Sequence, residues 1–230
     1  MEKKEKVIGL ITARSGSKGI PNKNMKKLNG KPLLYYASKA LIGNEEIDQV
    51  ILSTDSESIA EYGRELGLKV PFIRPKYLAE DNSKSIDVVK HIIKKCSLKG
   101  SICLVQPTSP LVSCSDIQKS IEIHKNTNQN VISVCETSLK LSNTCLLNEF
   151  CKISFLEKNT GTPRQLQNQY YKLNGAIFLN SIESILQTNS LVQENSIAFI
   201  MPKYRSIDID DLYDWNVTEL ILKNKHIFQI

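Results

Sequence analysis

Short β-rich apolar runs alternate along this chain with amphipathic runs of helical spacing, and that alternation confines it to a sheet layered with helices rather than a sandwich or a bundle. Val7 to Thr12 reads as the first strand. Leu33 to Leu41 is a helix entered through Pro32, Gln49 to Thr54 a second strand, and Ser56 to Leu66 a second helix closed by Gly67. Val70 to Ile73 is predicted as a short strand and Arg74 to Ser83 as loop. Ile86, Val89, Ile93 and Cys96 share a helical face, and the strand Ile102 to Val105 is stopped by the prolines of Gln106-Pro107-Thr108-Ser109-Pro110. Ile117, Ile121 and His124 predict another helix. Val131 to Val134, Gly175 to Leu179 and Ile197 to Ile200 predict strands, and Leu212 opens a last helix. Residues 136–171 lack clear periodicity and are expected to leave the main sheet as an excursion from a single domain spanning 1–230. The fold class is α/β, three layers around a mostly parallel, doubly wound sheet. In such a sheet ligands collect at the carboxyl ends of strands, where Arg14, Asp55 and Gln106 fall.

Two features carry chemistry. The first is the loop Ala13-Arg14-Ser15-Gly16-Ser17-Lys18-Gly19-Ile20-Pro21-Asn22-Lys23-Asn24. Arg14, Ser17, Lys18 and Lys23 offer guanidinium, hydroxyl and ammonium donors to a triphosphate, and Gly16 and Gly19 permit positive φ and close backbone approach to a ligand. Neither GxGxxG nor GxxxxGK[ST] occurs, which disfavours a Rossmann dehydrogenase or a P-loop NTPase. The second feature is Asp208 and Asp210 in Ser206-Ile207-Asp208-Ile209-Asp210-Asp211. On an extended strand the two project from one face, an arrangement that suits Mg²⁺. Asp211, before Leu212 and three residues ahead of Asp214, is assigned to helix capping.

Other readings are plainer. Asn174-Gly175-Ala176 fits a strand start where backbone approaches a ligand, or an ordinary turn. Arg164 can hold a carboxylate bidentately, or lie on the surface. His91 and His124 fall in helices without ligand-spaced partners. The excess of 30 Lys+Arg over 24 Asp+Glu is concentrated partly in Arg14, Lys18, Lys23, Lys26 and Lys27, which favours a local anion site over a nucleic-acid surface. The six cysteines never fall two or four apart, so free buried thiols are expected rather than a zinc knuckle. No run reaches the length needed to span a bilayer, and the protein is expected to be cytoplasmic, without nucleic-acid or membrane partners.

Taken in order, the glycine loop, Ser53-Thr54-Asp55, Arg74-Pro75 with Leu78-Ala79 and Asp81, Gln106-Pro107-Thr108-Ser109-Pro110, Pro163-Arg164, Asn174-Gly175-Ala176 and Ser206-Ile207-Asp208-Ile209-Asp210 resemble the motifs of bacterial acylneuraminate cytidylyltransferases. The resemblance implies a nucleotide-diphospho-sugar transferase-like fold and transfer of CMP from CTP to the anomeric 2-hydroxyl of a nine-carbon 2-keto sugar acid, with release of pyrophosphate. It implies that Arg14, Ser17, Lys18, Lys23 and Ser85 hold CTP with Asn24 supporting the loop, and that Gln106, Arg164 and Asn174 hold the acid. Asp208 and Asp210 would hold Mg²⁺ or Mn²⁺, with Arg14 and Lys23 completing the catalytic set. A homodimer is implied, with the 136–171 excursion reaching across to its neighbour.

The chain departs from the family pattern at Val112, where an arginine is usual, and at Tyr171-Lys172-Leu173, where arginine or histidine with proline is usual. N-acetylneuraminate, legionaminate and pseudaminate all remain open as acceptors. The rival readings are a transferase for keto-deoxy-octulosonate or a sugar 1-phosphate, a non-catalytic nucleotide-binding module, and a basic nucleic-acid-binding protein.

Overall fold

Strand β1 (Val7–Thr12) of the computed structural model, which describes residues 6–139, 144–156 and 169–228, is buried almost throughout because it is packed on both faces. After the glycine loop, β2 (Lys27–Leu28) and β3 (Lys31–Pro32) form a small ribbon leading into α1 (Leu33–Ile42). β4 (Gln49–Ser53) and α2 (Glu57–Glu65) follow, the helix started by the Ser56 hydroxyl accepting from the amide of Ile59. α3 (Ser85–Cys96), β5 (Ser101–Val105), α4 (Cys114–Thr127) and β6 (Val131–Thr137) continue the alternation. A hairpin of β7 (Cys145–Leu147) and β8 (Ile153–Phe155) precedes the long β9 (Tyr170–Ser181), then α5 (Ile182–Thr188), β10 (Ile197–Ile200), α6 (Leu212–Lys223) and α7 (Lys225–Phe228).

The central sheet has the order β10-β6-β9-β5-β1-β4, all parallel except β9, which runs antiparallel to both β5 and β6. Side-chain alternation along β1 divides the core. Val7 and Ile11 join Leu34, Leu41, Ile59, Ile117 and Ile121 on one face, so α1, α2 and α4 cover it. Ile8 and Leu10 join Val89, Ile92, Ile93 and Ile185 on the other, under α3 and α5. A third cluster ties Ile20 of the glycine loop, Leu111 and Ile209 to Trp215 and Ile221 of α6. It seats α6 beneath the loops at the carboxyl end of the sheet.

Two expectations differ from what forms. Val70–Ile73 is no strand: the chain makes a single bridge at Lys69 with Ile51. Pro71 removes the donor that a ladder needs there. The excursion also starts later and ends earlier than 136–171, because β6 and β9 remain paired out to Thr137 and Tyr170. Within it the β7–β8 hairpin leaves Leu146, Phe150 and Ile153 exposed. No helix among the described residues is long and apolar enough to cross a membrane.

Candidate active site

β1 and β5 lie side by side while their connections leave in opposite directions, β1 to β4 on one side and β5 toward β9 on the other. The crevice beyond their carboxyl ends is where such sheets bind ligands. The glycine loop borders it and is anchored at both ends. The Asn24 amide donates to the Arg14 carbonyl at 2.9 Å, and the Leu34 amide donates to the Asn24 carbonyl at 3.0 Å. Asn24 is buried.

Neither Gly16 nor Gly19 takes positive φ; the left-handed residue of the loop is Asn22, at φ 50°. Gly19 is needed for close backbone approach, made to the acidic segment and not to a ligand. A Cβ there would overlap the backbone carbonyl oxygen of Asp210, so loop and acidic segment meet backbone to backbone. Lys23 fastens the contact, its Nζ donating to the Ile209 carbonyl at 2.7 Å and lying 3.9 Å from Asp210 Oδ1. On the opposite side the Ile209 amide donates to the Thr108 carbonyl at 2.8 Å. The 206–211 segment, read from the sequence as a strand, joins no sheet, and these bonds hold it in place of a ladder. Asp211 caps α6, accepting from the amides of Tyr213 and Asp214 while Asp214 accepts from the Asp211 amide.

A cavity of about 400 Å³ opens between these parts. Arg14, Ser17, Lys18, Lys23, Asn24 and Ser85 all stand on its wall, and Gln106 and Asp210 face the same space. Arg14 and Lys18 each reach the exposed carboxylate of Asp81 at 2.8 Å. Lys18 and then Arg14 hold that carboxyl below its ordinary pKa. Beneath them Asp55 accepts from the Ser15 amide at 2.9 Å and hydroxyl at 2.6 Å. Burial alone would raise the Asp55 pKa, but the Ser15 bonds and nearby Arg74 bring it below its usual value.

On the far side of Asp210 lies a second cavity of about 570 Å³, where Asp208 and Asn174 sit. Burial pushes the Asp208 pKa up; the Thr108 hydroxyl and Lys23 counteract it, while Asp210 and Asp214 add repulsion. Gly175, at φ 71°, makes room for this carboxylate: a Cβ there would stand 3.1 Å from Asp208 Oδ2. The Asn174 amide is already committed, its Oδ1 accepting from Ser133 at 2.6 Å and its Nδ2 donating to Ser206 at 2.9 Å. Its side chain therefore fixes the wall and offers no free donor to a ligand, a correction to the expected contact with the acid. Arg164 lies outside the described residues.

Asp208 Oδ1 is buried without a hydrogen-bond partner among the described residues. An orphaned carboxylate oxygen beside a second carboxylate fits a hard divalent cation. No group of three or more His, Cys, Asp or Glu side chains among the described residues could hold a metal. Two protein carboxylates with water and substrate oxygens would be the habit of Mg²⁺.

Some residues of the site escaped the reading of the sequence. Arg74 lines the first cavity, is buried, and carries an Nε without a partner among the described residues. Its only signal was its place in a motif, before Pro75. Asp81 likewise stood in a motif, and Lys203 had no signal at all. Both helical histidines have ordinary surroundings: His124 is buried between the Ser101 hydroxyl and the Gln129 carbonyl, and His91 packs edge-on against Phe72. The six cysteines are free, and burial pushes the Cys103 thiol up to about 12.

An α/β sheet with a cation-lined crevice and acidic residues at its border suits a phosphorylated nucleotide. The cytidylyltransferase family model matches residues 8–191. The chain is 32% identical to the CMP-N,N'-diacetyllegionaminic acid synthase of Legionella pneumophila over 95% of this chain and 97% of that protein. It is 32% identical to an N-acylneuraminate cytidylyltransferase of Escherichia coli over 96% of this chain, though it spans only 53% of that longer protein. A solved CMP:2-keto-3-deoxy-manno-octonic acid synthetase complexed with CTP shares the fold, with a TM-score of 0.70 at 13% identity over 96% of this chain and 99% of that one. This chain belongs to the cytidylyltransferase family, among the acylneuraminate and related nonulosonate members.

Proposed function

We propose that the protein transfers CMP from CTP to the anomeric 2-hydroxyl of a nine-carbon 2-keto sugar acid, of the N-acetylneuraminate type or a related nonulosonate, releasing pyrophosphate. The observation that carries this reading is the pair of cavities joined at Asp210, one lined by loop cations and the other holding Asp208. In the first, Arg14, Lys18 and Lys23 neutralise the triphosphate, and Asp81 gives up Arg14 and Lys18 as it enters. Ser17 and Ser85 offer further donors, Ser85 from the first turn of α3, which has no side-chain cap to compete for its amides. In the second, the acid lies with its reacting hydroxyl toward Asp208 and Asp210; Gln106 would reach it from the wall of the first cavity, and Arg164 is proposed as a further contact. Mg²⁺ or Mn²⁺ on the two aspartates would supply Lewis acidity to the reacting oxygens. The residues themselves contribute position and charge: Lys23 fixes the distance between nucleotide loop and acidic segment, and Arg14 stabilises charge on the leaving phosphates.

Pyrophosphate release across CTP, UTP, GTP and TTP tests the reading, each nucleotide offered with N-acetylneuraminate, legionaminate, pseudaminate or keto-deoxy-octulosonate. Release with CTP and a nine-carbon acid is the expected result. Release only with another nucleotide, or only with the eight-carbon acid, overturns it.

The same proposal treats the chain as one domain and its active form as a homodimer that covers the β7–β8 hairpin. Leu146, Leu147, Phe150 and Ile153, all exposed there, are the kind of apolar surface that a second subunit buries. Equilibrium sedimentation is expected to return twice the chain mass, and a monomer at working concentration refutes the dimer.

A further inference from the structure

The second cavity poses an electrostatic problem. Its titratable wall includes Asp208, Asp210 and Asp214, yet the ligand proposed for it is itself an anion. In a 2-keto sugar acid the carboxylate is bonded to the same carbon as the reacting hydroxyl, so it must lie within a few ångströms of Asp208. Like charges this close repel, more strongly beside a protein than in open water. Lys23 offsets part of the charge on the aspartates, but it lines the other cavity with Arg14 and Lys18 and serves the triphosphate, so none of the three faces the carboxylate of the acid.

Two cations among the described residues line the second cavity, Lys172 on β9 and Lys203 in the turn after β10. The same two also line an adjoining cavity of about 460 Å³ with Thr137, Ser138 and Thr144. They therefore stand at the junction of the two spaces. Neither forms an ion pair with a described residue. Lys203 is also presented on a rigid turn. The Met201 amide donates to the Val134 carbonyl at 2.8 Å, the Ser206 hydroxyl donates to the Pro202 carbonyl at 2.9 Å, and Arg205 is tied to the buried Asp116 at 2.7 Å.

Building on the function proposed above, we infer that Lys203, with Lys172 beside it, receives the carboxylate of the acid acceptor and sets its orientation. The anomeric hydroxyl then faces Asp208, and the polyhydroxyl tail points away from the aspartates into the adjoining cavity, past Thr137 and Ser138. Lys203 thus becomes a residue that selects acid sugars over neutral ones of the same size.

Steady-state kinetics of Lys203→Ala, Lys203→Arg and Lys172→Ala test this with whichever acid supports release by the parent enzyme. Loss of one charge-assisted bond to a carboxylate is expected to raise the acceptor KM by about ten- to a hundredfold in Lys203→Ala. The KM for CTP and the Mg²⁺ dependence are expected to stay within about twofold, Lys203→Arg is expected to recover most of the loss, and Lys172→Ala is expected to raise the acceptor KM by a smaller factor. An unchanged acceptor KM in Lys203→Ala, or a CTP KM that rises in step with it, overturns the inference. A parent enzyme that releases pyrophosphate with no acid sugar refutes instead the proposed function on which it rests.

Discussion

Asp208→Asn is expected to slow pyrophosphate release by at least about a thousandfold and at the same time to raise the melting temperature. The two effects have one cause. The carboxylate is buried at the edge of the second cavity with Oδ1 unpartnered among the described residues, and Asp210 and Asp214 repel it. The Thr108 hydroxyl and Lys23 offset this only in part, so the folded chain retains an uncomfortable charge. An amide keeps the shape and removes the charge. The catalytic loss follows from removing one of two carboxylates that would hold the metal, on the several-kcal/mol scale of a Lewis acid, at about 1.4 kcal/mol per factor of ten. The stability gain is expected at ~1 kcal/mol, which for a chain of this size is about 2–4 °C in Tm. Thermal melts are best done with chelator present, so that metal binding by the parent does not mask the difference. A variant that melts lower than the parent sinks the claim of a strained carboxylate. One that retains near-parental release sinks the assignment of Asp208 to the reaction.

That trade of stability for function also separates what could be read in the sequence from what could not. The strand and helix order was legible because it rests on local periodicity: β1, β4, β5 and β10 are short apolar runs, and α3 carries its Val89 and Ile93 stripe. The Asp211 cap was legible because Asp211 and Asp214 stand at capping-box spacing ahead of an apolar helix. Gathering of the loop cations at one crevice followed from strand order alone. Contacts made at long range left no such trace. Arg74 reads as loop, yet it is buried, lines the first cavity and has Asp55 Oδ1 3.7 Å away. The outer half of β9, Tyr170 to Leu173, is exposed and has no apolar rhythm, so only its ladder with β6 reveals it. α5 has seven residues, about two turns, too few for a periodic signal. Lys203 is one lysine in a turn, and it acquires meaning from the acids that the fold places opposite it.

Gly19 shows the same limit most sharply, because a glycine there has two possible reasons, positive φ and close backbone approach, and the sequence does not choose between them. Positive φ predicts that alanine would be harmful at Gly16 and Gly19 alike. Close backbone approach predicts harm at Gly19 alone, since a Cβ at Gly16 meets nothing within 4 Å while one at Gly19 overlaps the Asp210 carbonyl. Neither side of that contact can step aside cheaply. Lys23 grips Ile209 at 2.7 Å, Thr108 holds the Ile209 amide at 2.8 Å, and Asp211 is locked into the α6 cap. The added methyl must therefore push the acidic segment away from the loop as a unit. Overpacking of this kind costs about 1–3 kcal/mol of stability. Displacing reacting groups by about 1 Å costs on the order of a hundredfold in rate. Gly19→Ala is accordingly expected to lose about a hundredfold in kcat/KM with a lowered Tm, whereas Gly16→Ala is expected to stay within about threefold and to melt at or slightly above the parent temperature. Equal damage at both positions would mean that the loop needs glycine for its freedom to move and not for the contact with Asp210. Parental activity in Gly19→Ala would mean that the distance between loop and acids does not govern the reaction.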